Sequence, residues 1–209
     1  MRYFKKLLLL ILIIMVVAPV INSCKKGDED PSFSFYTRKH RLCQNWQITS
    51  YKKTEQVNDS ITGYTYDGST YLKYSAGHYI YRSPGTMTAS FAKDGTYEWK
   101  LDVSTDTSSY YYNEKGFWYF TGGGSKSETK YKELIALQKT NTDETFRSHS
   151  NINTLNYTGS GDLETTVYKI IKLASDEMKF TSEYKMTNTN TSGDKLILVK
   201  TEILFKKKG

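Results

Sequence analysis

Thr96-Tyr97-Glu98-Trp99-Lys100-Leu101-Asp102-Val103 is the stretch on which the fold turns. In an extended chain Tyr97, Trp99, Leu101 and Val103 fall on one face, and Thr96, Glu98, Lys100 and Asp102 on the other. A period of two marks a strand with one buried and one wet face. Just upstream, Lys93-Asp94-Gly95 supplies the glycine that a tight hairpin needs at a left-handed position. The alternation returns over 178–187, where Met178, Phe180, Ser182, Tyr184 and Met186 oppose Lys179, Thr181, Glu183, Lys185 and Thr187. It returns again over 196–206, with Ile197, Val199, Thr201, Ile203 and Phe205 aligned.

Working outward, further strands are predicted at 46–52, 86–92, 109–113, 116–121, 133–139 and 166–173, with a hairpin within 63–82. Glu114-Lys115-Gly116, Ala174-Ser175-Asp176-Glu177 and Gly193-Asp194 read as turns. Residues 141–162 are rich in Thr, Asn and Ser without a period, and predict a long solvated loop. No helical pattern exceeds two turns. The fold class is therefore all-β: an antiparallel up-and-down meander of 8–9 strands. Such a meander hides its edges by closing into a barrel or, as the alternative, by folding into a two-sheet sandwich.

The N-terminus carries a different message. Residues 1–6 are basic, and residues 7–21 form an apolar run too short to span a bilayer but suited to an export signal. The run ends in Ile21-Asn22-Ser23-Cys24, which resembles the bacterial lipobox. That resemblance implies cleavage after Ser23 and lipidation of Cys24, with acyl chains contributing about 0.8 kcal/mol per buried methylene. The charged run Lys25-Lys26-Gly27-Asp28-Glu29-Asp30-Pro31 reads as a solvated tether. Its acidic part resembles the surface-export signal of Bacteroidota lipoproteins, which implies the outer membrane and the cell surface, with a periplasm-facing position as the alternative. The expected organisation is residues 1–23 as signal, 24–41 as lipidated tether and 42–209 as a monomeric β-barrel domain.

Composition sets bounds. The 209 residues carry a formal net charge of +7. Arg2, Lys5 and Lys6 leave with the signal, so the mature chain keeps 26 basic against 22 acidic groups. An excess of four gives no dense basic face for nucleic acid. A mean hydropathy of −0.59 excludes an integral helical membrane protein.

The chain resembles lipocalin-like lipoproteins of Bacteroidota over roughly residues 42–206. Asn45-Trp46 resembles the Gly-x-Trp start of that family, although the glycine two before Trp46 is missing. Phe91-Ala92-Lys93-Asp94-Gly95-Thr96-Tyr97 resembles its Asp-Gly-Thr hairpin, and Gly116-Phe117-Trp118-Tyr119-Phe120 its Gly-x-Trp-x-Phe strand. The segment Ile170-Ile171-Lys172-Leu173-Ala174-Ser175-Asp176-Glu177-Met178 and the terminal Ile203-Leu204-Phe205-Lys206 complete the order. The resemblance implies a calycin-type barrel that binds a small apolar or amphipathic ligand. Residues 53–85 exceed a simple hairpin and leave the strand count there open.

Candidate binding residues are aromatic. The chain has 18 tyrosines, clustered in residues 64–81 and at Tyr110-Tyr111-Tyr112. A tyrosine pairs an apolar ring with a polar tip, which suits a wet pocket or a sugar, and it is equally a good strand former. Trp46, Trp99 and Trp118 sit at inward-type positions, as core or as cavity wall. With Tyr97 and Tyr184 they form the candidate ligand-binding set. The alternative is an interaction module that presents Tyr-rich loops to a glycan or protein partner. Asp59-Ser60-Ile61 resembles a Bacteroidota O-glycan acceptor, which makes Ser60 a candidate for modification. With Cys24 acylated, Cys43 is an unpaired thiol and reads as structural. His40, His78 and His149 are scattered, so no metal or other cofactor is expected. Gly122-Gly123-Gly124-Ser125 lacks the context of a phosphate loop, and no nucleophile elbow occurs, so no catalytic residues are assigned.

Overall fold

The computed structural model describes residues 28–31, 34–122, 133–148, 151–158, 164–190 and 193–209. The signal segment, the lipobox with Cys24, and Gly123, Gly124 and Ser125 lie outside the described residues. Among those described, one short helix, α1 (Arg38–Leu42), precedes eleven strands. These are β1 (Asn45–Val57), β2 (Ser60–Tyr66), β3 (Thr70–Ser75), β4 (His78–Phe91), β5 (Thr96–Ser104), β6 (Ser108–Thr121), β7 (Leu134–Ser148), β8 (Ile152–Thr158), β9 (Thr165–Leu173), β10 (Glu177–Asn190) and β11 (Gly193–Lys207).

The period of two in β5 buries Tyr97, Trp99, Leu101 and Val103, and the turn before it is built as its residues require. Gly95 takes φ +94°, and the Asp94 carboxylate accepts from the Thr96 amide at 2.9 Å and its hydroxyl at 2.7 Å. Repeated antiparallel pairing then closes the sheet on itself. β1 pairs with β11, β6 with β7, and β7 with β9. The expected barrel is therefore present, in agreement with a lipocalin-like architecture, and the sandwich is not.

The strand count is corrected from 8–9 to eleven. At one end β1 pairs directly with β4 through Trp46↔Ala89. Further along, the β2–β3 hairpin is inserted between them. The ring thus has eight strands at its narrow end and ten at its wide end. Residues 53–85 supply this widening. Of residues 141–162, expected as a loop, 141–148 instead extend β7 to Ser148 and 152–158 form β8, which pairs along β7 from Asn141↔Thr158 to Arg147↔Ile152, while 149–150 and 159–162 lie outside the described residues. Threonine is β-branched and satisfied by a ladder. Lack of apolar alternation there means a polar strand, not absence of a strand.

Two predicted turns are also overturned. Glu114-Lys115-Gly116 runs straight through β6. Gly116 is needed because a Cβ there would sit 2.0 Å from the Gln138 carbonyl oxygen and 2.8 Å from Tyr97. Opposite it, Thr140 of β7 is an extra residue in the ladder, and its hydroxyl donates to the Lys115 carbonyl at 3.2 Å. This is the close backbone approach that marks a bulge. Gly193-Asp194 likewise belongs to β11, paired with Asn190 and Thr189.

The narrow end is filled. Trp46, Ile48, Met178, Phe180 and Phe205 are fully buried. Phe180 meets Phe205 edge-on at 5.1 Å and Phe91 at 6.4 Å. The Trp46 indole donates to the Leu42 carbonyl at 2.9 Å, and Trp118 donates to Ala92 at 3.0 Å, so neither ring leaves its N–H unpaired. Each such side chain contributes about 1.5–3 kcal/mol of burial.

The acidic run after residue 27 is not wholly solvated. Asp30 is only 4 % exposed, ion-pairs with Arg38 and accepts from the Leu173 amide at 2.7 Å. Glu29 donates its amide to Ile171, and Asp28 meets Lys169 at 3.0 Å. A strap therefore lies along β9 and leads into α1, whose Leu42 joins the core. The sequence shows only charge in this stretch, and the partners that bury Asp30 stand far along the chain.

Candidate functional site

Inward side chains change character along the barrel. Beyond the aromatic plug, strands β1, β2, β3, β6 and β9 turn tyrosines inward: Tyr51, Tyr64, Tyr71, Tyr110, Tyr112 and Tyr168. These rings surround a cavity of about 390 Å³, within the roughly 300–1,000 Å³ usual for small-molecule sites. Met87, Trp99, Leu101 and Leu137 give the apolar part of its lining. Lys53, Glu114, Lys139 and Glu164 bring charge to it.

The polar groups are organised. Tyr97 donates its hydroxyl to Glu114 Oε1 at 2.6 Å, and Tyr112 donates to Oε2 at 2.5 Å. Lys53 pairs with Glu55 at 2.8 Å, and Lys139 with Glu164. Burial first, and the Glu114 charge after it, hold the Tyr97 and Tyr112 phenols far above their ordinary pKa. Burial is also the largest cause for Tyr51, Tyr71 and Tyr168. The lining therefore presents neutral phenols throughout the physiological range, each able to donate and to accept.

A second concavity of about 980 Å³ lies on the outer face, bordered by Lys52, Thr54, Val167, Lys169, Lys200 and Glu202. It is larger, but it is an open groove between solvated side chains. Glu164, Thr166, Tyr184 and Thr201 border both spaces. The reason is topological: β9 pairs with β10 only over residues 178–181 of β10, and beyond that point the two strands part. A seam there joins the groove to the interior.

The structure separates the candidate aromatic set. Trp99 and Tyr184 line the cavity, although Tyr184 is 42 % exposed at the seam. Trp46 and Trp118 belong to the packed plug, and Tyr97 contributes through its hydroxyl on Glu114. Ser60 is exposed at the β1–β2 turn. The two tyrosine clusters lie mainly on strands, not on loops. Glu114 was not legible as a site residue, because Glu-Lys-Gly reads as a turn. The available signal was its position two beyond Tyr112 and four beyond Tyr110. Tyr168 carried no signal beyond alternation with Ile170, and Tyr51 and Lys53 are out of phase with Trp46 and Ile48, turned inward by a register shift between Ile48 and Ser50. Cys43 is half-buried against the core, and burial pushes its thiol pKa up, which makes it a poor nucleophile.

No family model and no curated protein matches the sequence. Among solved structures, a polyisoprenoid-binding domain from Saccharophagus degradans implicated in plant cell wall breakdown aligns over 78% of this chain and 98% of its own. The TM-score is 0.29 and the identity 6%. A likeness at that level does not bear on what the cavity holds.

Proposed function

We propose that this protein is a non-catalytic binding protein, tethered to a membrane by lipid on Cys24, that holds a small amphipathic molecule inside its barrel. The cavity is the observation that carries the reading. It combines an apolar wall at Trp99, Leu101 and Leu137 with a ring of phenols, so one end of a ligand is desolvated while the other is hydrogen-bonded. The seam between β9 and β10 offers a route inward that leaves the main ring paired. The lipobox and the acidic run behind it support the reading that the barrel is held at the outer membrane, facing the cell exterior, with the periplasmic face as the alternative.

Native mass spectrometry of protein purified without denaturant tests the cavity. A small-molecule adduct that disappears when Trp99 and Leu101 are replaced by alanine together is expected. A folded sample that carries no adduct and takes up no apolar dye overturns the reading. The anchor is tested separately: labelled palmitate should enter the wild type and not Cys24→Ser. Protease treatment of intact cells distinguishes the two faces.

A further inference from the structure

Glu114 stands apart from the other charges of the cavity. Lys53 is engaged by Glu55, and Lys139 by Glu164. Among the described residues, no lysine or arginine reaches Glu114. Its two oxygens are held by neutral hydroxyls, those of Tyr97 and Tyr112, which orient a negative charge without neutralising it. A carboxylate half-withdrawn from water, with no cation in contact, gains from a ligand that brings the opposite charge.

The surroundings are aromatic. Trp99 is the direct cross-strand neighbour of Glu114 on the inner face. Tyr51 and Trp99 meet edge to face, with ring centroids 6.3 Å apart. The Glu114 charge is felt at Tyr51, Tyr97, Tyr112 and Tyr168, where it helps to keep all four phenols protonated. Aromatic rings clustered beside a fixed carboxylate suit a cation too weakly hydrated to stay in water. A metal ion is a poor match, because no group of three or more His, Cys, Asp or Glu converges among the described residues.

We infer that the cavity selects an organic ammonium ion on an apolar body, its positive end against Glu114 and the faces of Trp99, Tyr51 and Tyr112. The inference rests on the cavity-binding reading and narrows it to one charge class. Glu114 supplies the charge, the rings supply cation–π contact, and Leu101 and Leu137 take the hydrocarbon.

Three probes of similar size separate the possibilities: benzyltrimethylammonium, its neutral carbon isostere neopentylbenzene, and phenylacetate. Binding is read by tryptophan fluorescence and saturation-transfer NMR on the full barrel. The cation is expected to bind at least about tenfold more tightly than either competitor, the worth of one charge-assisted contact. Glu114→Gln, which keeps an acceptor for the phenols, should abolish that preference and leave the isostere unaffected. Should Glu114→Gln fail to fold, Tyr51→Leu should weaken the cation more than the isostere. Equal affinity for cation and isostere, a preference that survives Glu114→Gln, or equal weakening by Tyr51→Leu overturns the cation assignment while the cavity reading stands. If no probe binds, the cation assignment falls, and the mass-spectrometric adduct decides the cavity reading on its own.

Discussion

At the scale of single residues, Gly116 shows how a position can be mistaken in sequence and indispensable in structure. The atom nearest its missing Cβ is backbone, the Gln138 carbonyl, which cannot rotate away. Gly116→Ala should therefore cost about 1–3 kcal/mol as the β6–β7 ladder shifts, measured by urea unfolding against wild type. A loss below a few tenths would mean that β7 moves freely there. The contrast with Gly95 is instructive. Gly95 was legible because its role is local: a turn needs a left-handed residue, and Asp94 and Thr96 beside it complete the turn. Gly116 was not, because the group it makes room for belongs to a strand 22 positions along the chain. Glu114 was half hidden: its partner Tyr112 is local, but its second partner Tyr97 and the absence of a cation beside it are tertiary facts.

At the scale of elements, the strap and α1 form a polar latch on an apolar barrel. Arg38 and Asp30 are 6% and 0% exposed at the side chain, so neither can turn to water for relief. Burial lowers the Arg38 pKa, and the neighbouring Asp30 carboxylate is the main opposing influence. Removing the carboxylate alone strands a buried guanidinium and leaves the Leu173 amide without its acceptor. Asp30→Ala should cost about 3–5 kcal/mol, whereas the double variant Asp30→Ala with Arg38→Met should recover part of that loss. Chemical denaturation of both variants checks the pair. A double variant no better than the single would show that Asp30 acts through Leu173 and not through Arg38. Strands with strict alternation, β5, β10 and β11, were legible from sequence. The hairpin predicted within residues 63–82 is present as β2–β3, running on into β4, whereas the polar β8 was not legible, because its pairing is carried by backbone and β-branching and not by an apolar row.

At the scale of the whole molecule, the interior tyrosines make the barrel sensitive to alkali. In the folded state the pKa values of Tyr51, Tyr97, Tyr112 and Tyr168 are raised above the ordinary value of 10.0. Between that value and the raised ones, the unfolded chain releases protons that the folded chain retains. The stabilising contribution is thus fully present below about pH 10 and declines as pH rises beyond it. Titration should show the exposed phenols ionising first by absorbance at alkaline pH. The interior ones should ionise only in a cooperative step that coincides with loss of the far-ultraviolet strand signal. A smooth single-group titration of every tyrosine, with the strand signal intact, would contradict the buried ring.

Lys169 stands beside the seam. It holds Asp28 of the strap at 3.0 Å and also borders the outer groove where β9 leaves β10. Glu29 and Asp30 fasten the next two residues of the strap to Ile171 and Leu173, so a pull on its leading end is shared along β9. On the proposed route inward, the strap therefore steadies the same strand that borders the passage.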